Sequence, residues 1–512
     1  MFGFITRRIS ILLVILLGSS FLIYNLEAVA ADPLEELRTS SAKNKAALIA
    51  QVTRQLDLDT PAPLRYFKWL KGLAGAFLGD MNLGKSRDGQ HVADAIAHAV
   101  PVTIRLVLGA TILAIILGIS IGIVTALRQY SRFDYAMTFV SFLFFSLPIF
   151  WVAVLLKQYL AIGFNDFLLT PIVTPPWLIG LGLLSGLFWA AVISGSRKQV
   201  WLIFASTGIG SAALLWFLGE INWFNKPALG PGMILLLGVG AAVGVTQLSM
   251  GVSNRRALYA ALAVAGLGFV SYFPVQAIFT KDFSLGLLVV LAAVTLLVSG
   301  AIGFFASKID RGPMIRTTAI TGFLVGFFIF VDKLMRTFYT YSTTDAVNLR
   351  PIPTVSEANS MLVTEDYWQL TLDGVLHLFL PTLALMIISF AGYVRFSRGS
   401  LLEVLNQDYI RTARAKGLSE RTVIMRHAFR NALIPLTTIM AADFAGVIGG
   451  AIITEQVFGW VGMGSLFRQA IVSQDLNLLM GVFFVTASLA LLANLVADLL
   501  YSALDPRIRV GQ

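Results

Sequence analysis

An all-α bundle of membrane-spanning helices is the fold class this sequence predicts, and three observations predict it. Of 512 residues, 57% are hydrophobic and 13% charged, against roughly 45–50% and about 25% in soluble domains. Mean hydropathy is +0.79. Runs of about 20 apolar residues, the length that crosses about 30 Å of hydrocarbon, recur from end to end. The absence of cysteine excludes a disulfide scaffold, and the apolar content excludes a disordered chain. A net charge of +10 is open at this point to nucleic acid, anionic lipid or membrane orientation.

About twelve such runs follow one another. The first, 9–24, stands behind Arg7 and Arg8, and a polar stretch then leads to Pro101. Runs 103–127 and 135–160 form a hairpin around Arg128 and Arg132. Six dense runs come next: 177–194, 200–219, 233–250, 257–279, 284–305 and 317–330. A second polar stretch, 337–375, precedes 377–394, 433–453 and 478–501.

Positive loops are retained in the cytoplasm, so Lys and Arg orient the chain. Arg7 and Arg8 put the N-terminus inside, and Arg128/Arg132, Arg197/Lys198, Arg255/Arg256 and Lys308/Arg311/Arg316 then fall inside in turn. The inner segments together carry +15 and everything else −5. The basic balance is therefore one-sided membrane orientation, with both termini cytoplasmic, rather than a nucleic-acid signature.

Six middle runs are an even number, so they leave the flanking topology unchanged and read as an insertion. The division that follows is 1–30, an N-terminal transmembrane helix; 31–101, an extracytoplasmic segment; 102–171, the first part of a membrane core; 172–336, an inserted six-helix region; 337–376, an extracytoplasmic loop; and 377–512, the second part of the core. For the N-terminal run there is a competing reading, a cleavable secretory signal ending at Ala28-Val29-Ala30.

The octapeptide Gly79-Asp80-Met81-Asn82-Leu83-Gly84-Lys85-Ser86 matches the phosphate-cradling G-x-x-x-x-G-K-[ST] pattern. Such a loop works between a buried strand and a helix, with an acidic residue completing a Mg²⁺ site. Here an amphipathic helical pattern precedes it and the segment falls outside the membrane, so it reads as a glycine-punctuated surface turn. Catalytic and metal constellations are likewise not expected. The four histidines, His91, His98, His377 and His427, are scattered, and none has the partners of a metal set.

Chemistry-bearing residues concentrate in one inner loop, 396–432. From Arg395 to Arg430 there are eight basic and three acidic residues. Ala413 and Ala415 permit close packing, Gly417 breaks a helix and Ser419 suits an N-cap, which predicts helix, turn and helix. Leu418, Val423, Ile424 and Met425 would be presented among cations. On physical grounds this is a docking knob for a soluble partner or a lipid-headgroup contact.

This loop resembles the signature cytoplasmic loop of the permease subunits of ABC importers, in the oligopeptide/dipeptide branch. The resemblance rests on Tyr409-Ile410-Arg411-Thr412-Ala413-Arg414-Ala415-Lys416-Gly417-Leu418 and on Arg426 through Pro435. The wider family has Glu-Ala-Ala where this chain has Arg411-Thr412-Ala413, a departure usual in the peptide branch. The resemblance continues in Leu56-Asp57-Leu58-Asp59 with Tyr66 and Trp69, Gly79 through Ser86, Ser146 through Trp151, His377 through Pro381, Glu455 through Phe458 with Gly462-Met463-Gly464, and Asp505-Pro506-Arg507. Val461 stands where the branch commonly has proline. Residues 172–336 show no such resemblance, and the resemblance favours a retained N-terminal helix over a cleaved signal.

What the resemblance implies is a subunit of an ATP-driven importer of peptides or similar small solutes in the cytoplasmic membrane. Its partners would be a second homologous permease subunit, two cytoplasmic ATP-binding subunits and an extracytoplasmic substrate-binding protein. No cofactor is implied, because ATP is bound and hydrolysed by the partner subunits. Docking falls to Ala413, Ala415, Gly417 and Leu418, within a coupling set that also holds Arg411, Thr412, Arg414, Lys416, Arg421 and Arg426. Polar groups inside spans mark candidate translocation-path residues, here Asp443, Asn494 and Asp498. The alternative is a self-contained secondary transporter, although no internal repeat supports one.

Overall fold

The computed structural model describes residues 2–504 apart from 31, 42, 76–78, 80, 194 and 308. Side chains at 2–5, 36, 441, 444–450, 497 and 500–504 are also outside the description. Asp80 of the octapeptide, Lys308 and the Asp505-Pro506-Arg507 motif lie outside the described residues.

The apolar runs fold as helices, because a helix satisfies every backbone polar group internally where no water can. Eleven helices among the described residues are long and apolar enough to cross a membrane. The remaining expected span is a helix, α18, several of whose side chains are outside the description.

α1 (Phe2–Ala30) leads into a polar segment of short helices, α2 (Glu35–Thr39), α3 (Lys45–Gln55) and α4 (Ala62–Ala74), and then α5 (Val92–Leu127). This segment is part of the fold: buried Tyr66 and Trp69 of α4 pack with Tyr24 of α1, and the Tyr66 hydroxyl lies 2.9 Å from Ser20 Oγ.

The run at 135–160, expected as one helix, is broken. α6 (Arg132–Ser146) ends at Leu147, whose extended ψ of 131° is what a following proline imposes. Pro148 then caps α7 (Ile149–Leu156), a π-helical turn (Lys157–Ile162) and α8 (Gly163–Leu169).

The middle block holds six helices: α9 (Pro175–Val192), α10 (Arg197–Glu220), α11 (Gly230–Ser249), α12 (Arg255–Ile278), α13 (Leu285–Ala306) and α14 (Arg311–Ser342). α9 and α10 form a hairpin whose backbones touch: a methyl on Gly182 would stand 2.9 Å from the Gly208 carbonyl oxygen. α11, α12, α13 and α14 form a second group. In it, buried Asp332 of α14 accepts from the backbone N–H of Leu229 (2.7 Å) and Gly230 (2.8 Å), Tyr272 (2.8 Å), Gln276 (3.2 Å) and Arg336 (2.8 Å). One carboxylate thus caps α11 and ties three helices together.

α15 (Tyr367–Leu405) returns through the membrane and runs on to the inner loop. There follow α16 (Asp408–Ala415), α17 (Glu420–Thr422), a π-helical turn (Val423–Ala428), α18 (Phe429–Gly450), α19 (Ile452–Phe458), α20 (Met463–Val472) and α21 (Leu476–Leu504). The closest long pairing is α5 with α15. Gly118 and Gly122 form a small-xxx-small seam, and a methyl on Gly122 would stand 2.8 Å from the Val394 carbonyl oxygen. Beside that seam, Arg398 of α15 grips buried Asp134 of α6 with two hydrogen bonds, 2.8 and 2.9 Å.

Candidate coupling loop and translocation path

The loop is built on a small apolar floor. α16 sets Ile410 and Ala413 one helical turn apart, and both are buried with Val423, Ala428 and Ala432 against Ala126 of α5 and Leu401 of α15. Ala413 and Val423, expected on the outer face, therefore point inward. For Ala413, the i, i+3 stripe of a short helix resting on two long ones requires that. Facing away from the floor are Arg411, Thr412, Arg414, Ala415, Lys416, Gly417 and Leu418. Leu418 is 41% exposed and Met425 53%, whereas Ile424 is half-buried.

The turn between the two helices follows from local chemistry. Gly417, at φ +74°, ends α16 in the left-handed region that a side chain disfavours. Ser419 then caps the second helix, accepting from the Thr422 N–H at 3.4 Å. Arg414 folds back across the turn onto Glu420, with N···O distances of 2.7 and 3.2 Å. That hydrogen-bonded guanidinium holds Glu420 below the usual carboxylate range, so the bridge stands at neutral pH and is lost only as acid protonates Glu420. Asn431 donates to the Tyr409 hydroxyl at 2.9 Å, stapling α16 to α18.

Two further coupling residues differ in their surroundings. Arg426 is exposed. Arg421 reaches out of the loop and donates to the backbone carbonyl of Leu248, at the inner end of α11, at 2.6 Å.

The three candidate path residues are not gathered into one site. Half-buried Asp443 of α18 faces the buried hydroxyl of Tyr393 on α15, which approaches it without the geometry of a full hydrogen bond. Asn494 is exposed on α21. Asp498 is committed to Arg8 of α1 at 3.2 Å. Sequence reasoning gave no role to Glu455. Fully buried in α19, its carboxylate accepts from Thr103 of α5 (2.7 Å) and from the Ser465 N–H at the start of α20 (2.8 Å). A methyl on Gly462 would stand 2.6 Å from its carboxyl carbon, which explains that glycine of the motif, whereas a methyl on Gly464 would meet the Ile452 backbone.

In the octapeptide, three backbone donors are engaged by the chain itself. The N–H of Asn82 bonds to the Gly72 carbonyl at 3.1 Å, that of Gly84 to Asn82 Oδ1 at 2.9 Å, and that of Ser86 to the Gln90 carbonyl at 2.8 Å. A helix precedes the octapeptide, and α5 begins only at Val92. No group of three metal-ligating side chains occurs among the described residues.

Comparison with known proteins returns one family. Residues 314–510 match the model of the binding-protein-dependent transport system inner membrane component. The chain is similar to the oligopeptide transport system permease protein OppB of Mycobacterium tuberculosis (strain ATCC 25618 / H37Rv), 43% identical over 149 residues, which are 29% of this chain and 46% of the relative. It is similar to the oligopeptide transport system permease protein AppB of Bacillus subtilis (strain 168), 44% identical over 136 residues, 27% of this chain and 43% of the relative. These matches span less than half of either relative. The dipeptide transport system permease protein DppB of Alkalihalophilus pseudofirmus is 24% identical over 510 residues, 99% of this chain and 100% of the relative. That alignment extends over nearly the whole of both chains.

Proposed function

We propose, for a chain whose residues 314–510 match the model of the binding-protein-dependent transport system inner membrane component, that it is the permease subunit of an ATP-driven importer of peptides or similar small solutes. The observation that carries this reading is the inner loop. Its floor of Ile410, Ala413 and Val423 is fixed to α5 and α15, while Arg411, Ala415, Lys416, Gly417, Leu418 and Arg426 are turned to the cytoplasm. A surface rigidly joined to transmembrane helices on one side and cationic and apolar on the other suits transmission of motion from a soluble motor.

The partners are a second permease subunit, two cytoplasmic ATP-binding subunits and an extracytoplasmic substrate-binding protein. The chain needs no cofactor and hydrolyses no ATP itself, a reading supported by the engaged donors of the octapeptide. Both termini are cytoplasmic, as the inner excess of cations directs. Residues 1–30, 102–171 and 377–512 make the permease core, and 172–336 an insertion within it. The packing of Tyr24 against Tyr66 and Trp69 supports a retained first helix. Ordering of the partners' ATP cycle would shift the bundle between outward- and inward-facing states through α16 to α18.

Gly417→Trp tests this directly. The assembled transporter, reconstituted in vesicles, should lose uptake by more than about tenfold, equivalent to about 1.4 kcal/mol of coupling, while still hydrolysing ATP. Unchanged uptake would count against the assignment, and uptake by the chain without any ATP-binding subunit would establish a self-contained carrier instead.

A further inference from the structure

The contact between Arg421 and the inner end of α11 joins the inner loop to the middle block. Four carbonyls at the end of a helix lack intrahelical partners, and cations there are favoured by the helix dipole. Leu248 is among the last four residues of α11, and its carbonyl is satisfied by Arg421 from 173 residues away. The α11–α12 turn is shaped to receive that guanidinium. Gly251 has φ +83°, and a methyl there would stand 3.2 Å from Arg421 Nη1. Asn254 caps α12 by accepting from the Ala257 N–H at 3.2 Å.

Around this joint the turn presents the same chemistry as the inner loop. Val252 is 41% exposed and Leu248 78%, and Arg255 and Arg256 are exposed beside them. No acidic residue lies between Glu220 and Asp282 to compensate these cations. Membrane orientation accounts for two arginines at an inner turn. It does not account for a hydrogen bond that ties the turn to the inner loop, or for an apolar side chain displayed between the cations.

We propose that the α11–α12 turn is a second docking element for the same cytoplasmic ATP-binding subunit, whose matching surface is acidic around an apolar recess. It is held in register with the inner loop by Arg421. The inserted helices would thereby widen the footprint through which ATP-driven motion enters the bundle. This rests on the importer reading above.

The test uses the complete transporter, with its ATP-binding subunits bound, carrying a photo-reactive benzoylphenylalanine at one position at a time. Probes at Val252 and at Leu418 should each cross-link to the ATP-binding subunit, and a control at lipid-facing Leu236 of α11 should not. Capture from Leu418 but not from Val252, or capture only of lipid from Val252, overturns the second docking element and leaves the importer reading intact. Capture from neither position overturns both. As an independent measurement, Val252→Asp, which adds a charge of the wrong sign, should weaken binding of the purified ATP-binding subunits to the reconstituted permease pair by at least about threefold, more steeply at low salt. Unaltered affinity would count against the proposal.

Discussion

Gly122 shows how much a single position decides. It lets α5 lie on α15 closely enough that a methyl would meet the Val394 carbonyl oxygen at 2.8 Å, and no neighbouring backbone can retreat without moving the floor of the inner loop. Gly122→Val should destabilise the protein by about 1–3 kcal/mol, read as a fall in the unfolding temperature of the detergent-purified chain. Gly417 differs, since its positive φ serves a turn with open space around it. Substitution there should alter coupling more than folding. Asp443 is the path candidate the structure leaves available, half-buried and facing Tyr393 rather than committed to a cation. Asp443→Asn should change uptake at unchanged protein level; equal uptake by the variant would argue for a packing role. Asp498, by contrast, is spent on Arg8, a pairing sequence spacing could not show because the partners are 490 residues apart.

At the scale of elements, the apolar runs made most helices legible, since length and hydropathy are what the bilayer selects. Breaks were harder. Pro148 is plain in the sequence, yet hydrophobicity continues across it, and only the backbone shows α6 and α7 as separate rods. The pattern of helix, glycine turn and helix in the inner loop is legible in Ala413, Gly417 and Ser419. In an eight-residue amphipathic helix, however, either of two faces can be the floor, so periodicity leaves the side of Ala413 open, and Val423 lies beyond that helix in the π-helical turn. Asp332 shows a different limit. A lone acid two residues beyond an apolar run was visible, but its partners in α11 and α12 are 56 to 103 residues away. The bidentate Arg398–Asp134 pair fastens α15 to α6. Arg398→Ala leaves a carboxylate that is 97% buried without its cation and should cost about 3–5 kcal/mol, measurable as lost thermal stability. Replacing both residues with methionine should recover much of it.

For the whole molecule, the alternation of cation-rich and cation-poor loops predicts which ends of the helices face the cytoplasm, because charge retention acts on loops rather than on packing. What composition could not show was how the middle block meets the core. That depends on Arg421 at α11 and on α14 lying along α15. The two longest helices have a further mechanical consequence. α5 has 36 residues and α15 has 39; at 1.5 Å per residue each is about 55 Å long, nearly twice the hydrocarbon thickness of about 30 Å. The apolar run of α15, 377–394, leaves an arm on each side of the bilayer, whereas that of α5, 103–127, reaches the end of the helix and leaves one arm, before Thr103. A sideways push of a few ångströms on one arm of α15 swings the other the opposite way, and Pro381, inside its apolar run, is the point where that beam can flex instead of transmitting the whole stroke, as Pro101 is for the arm of α5.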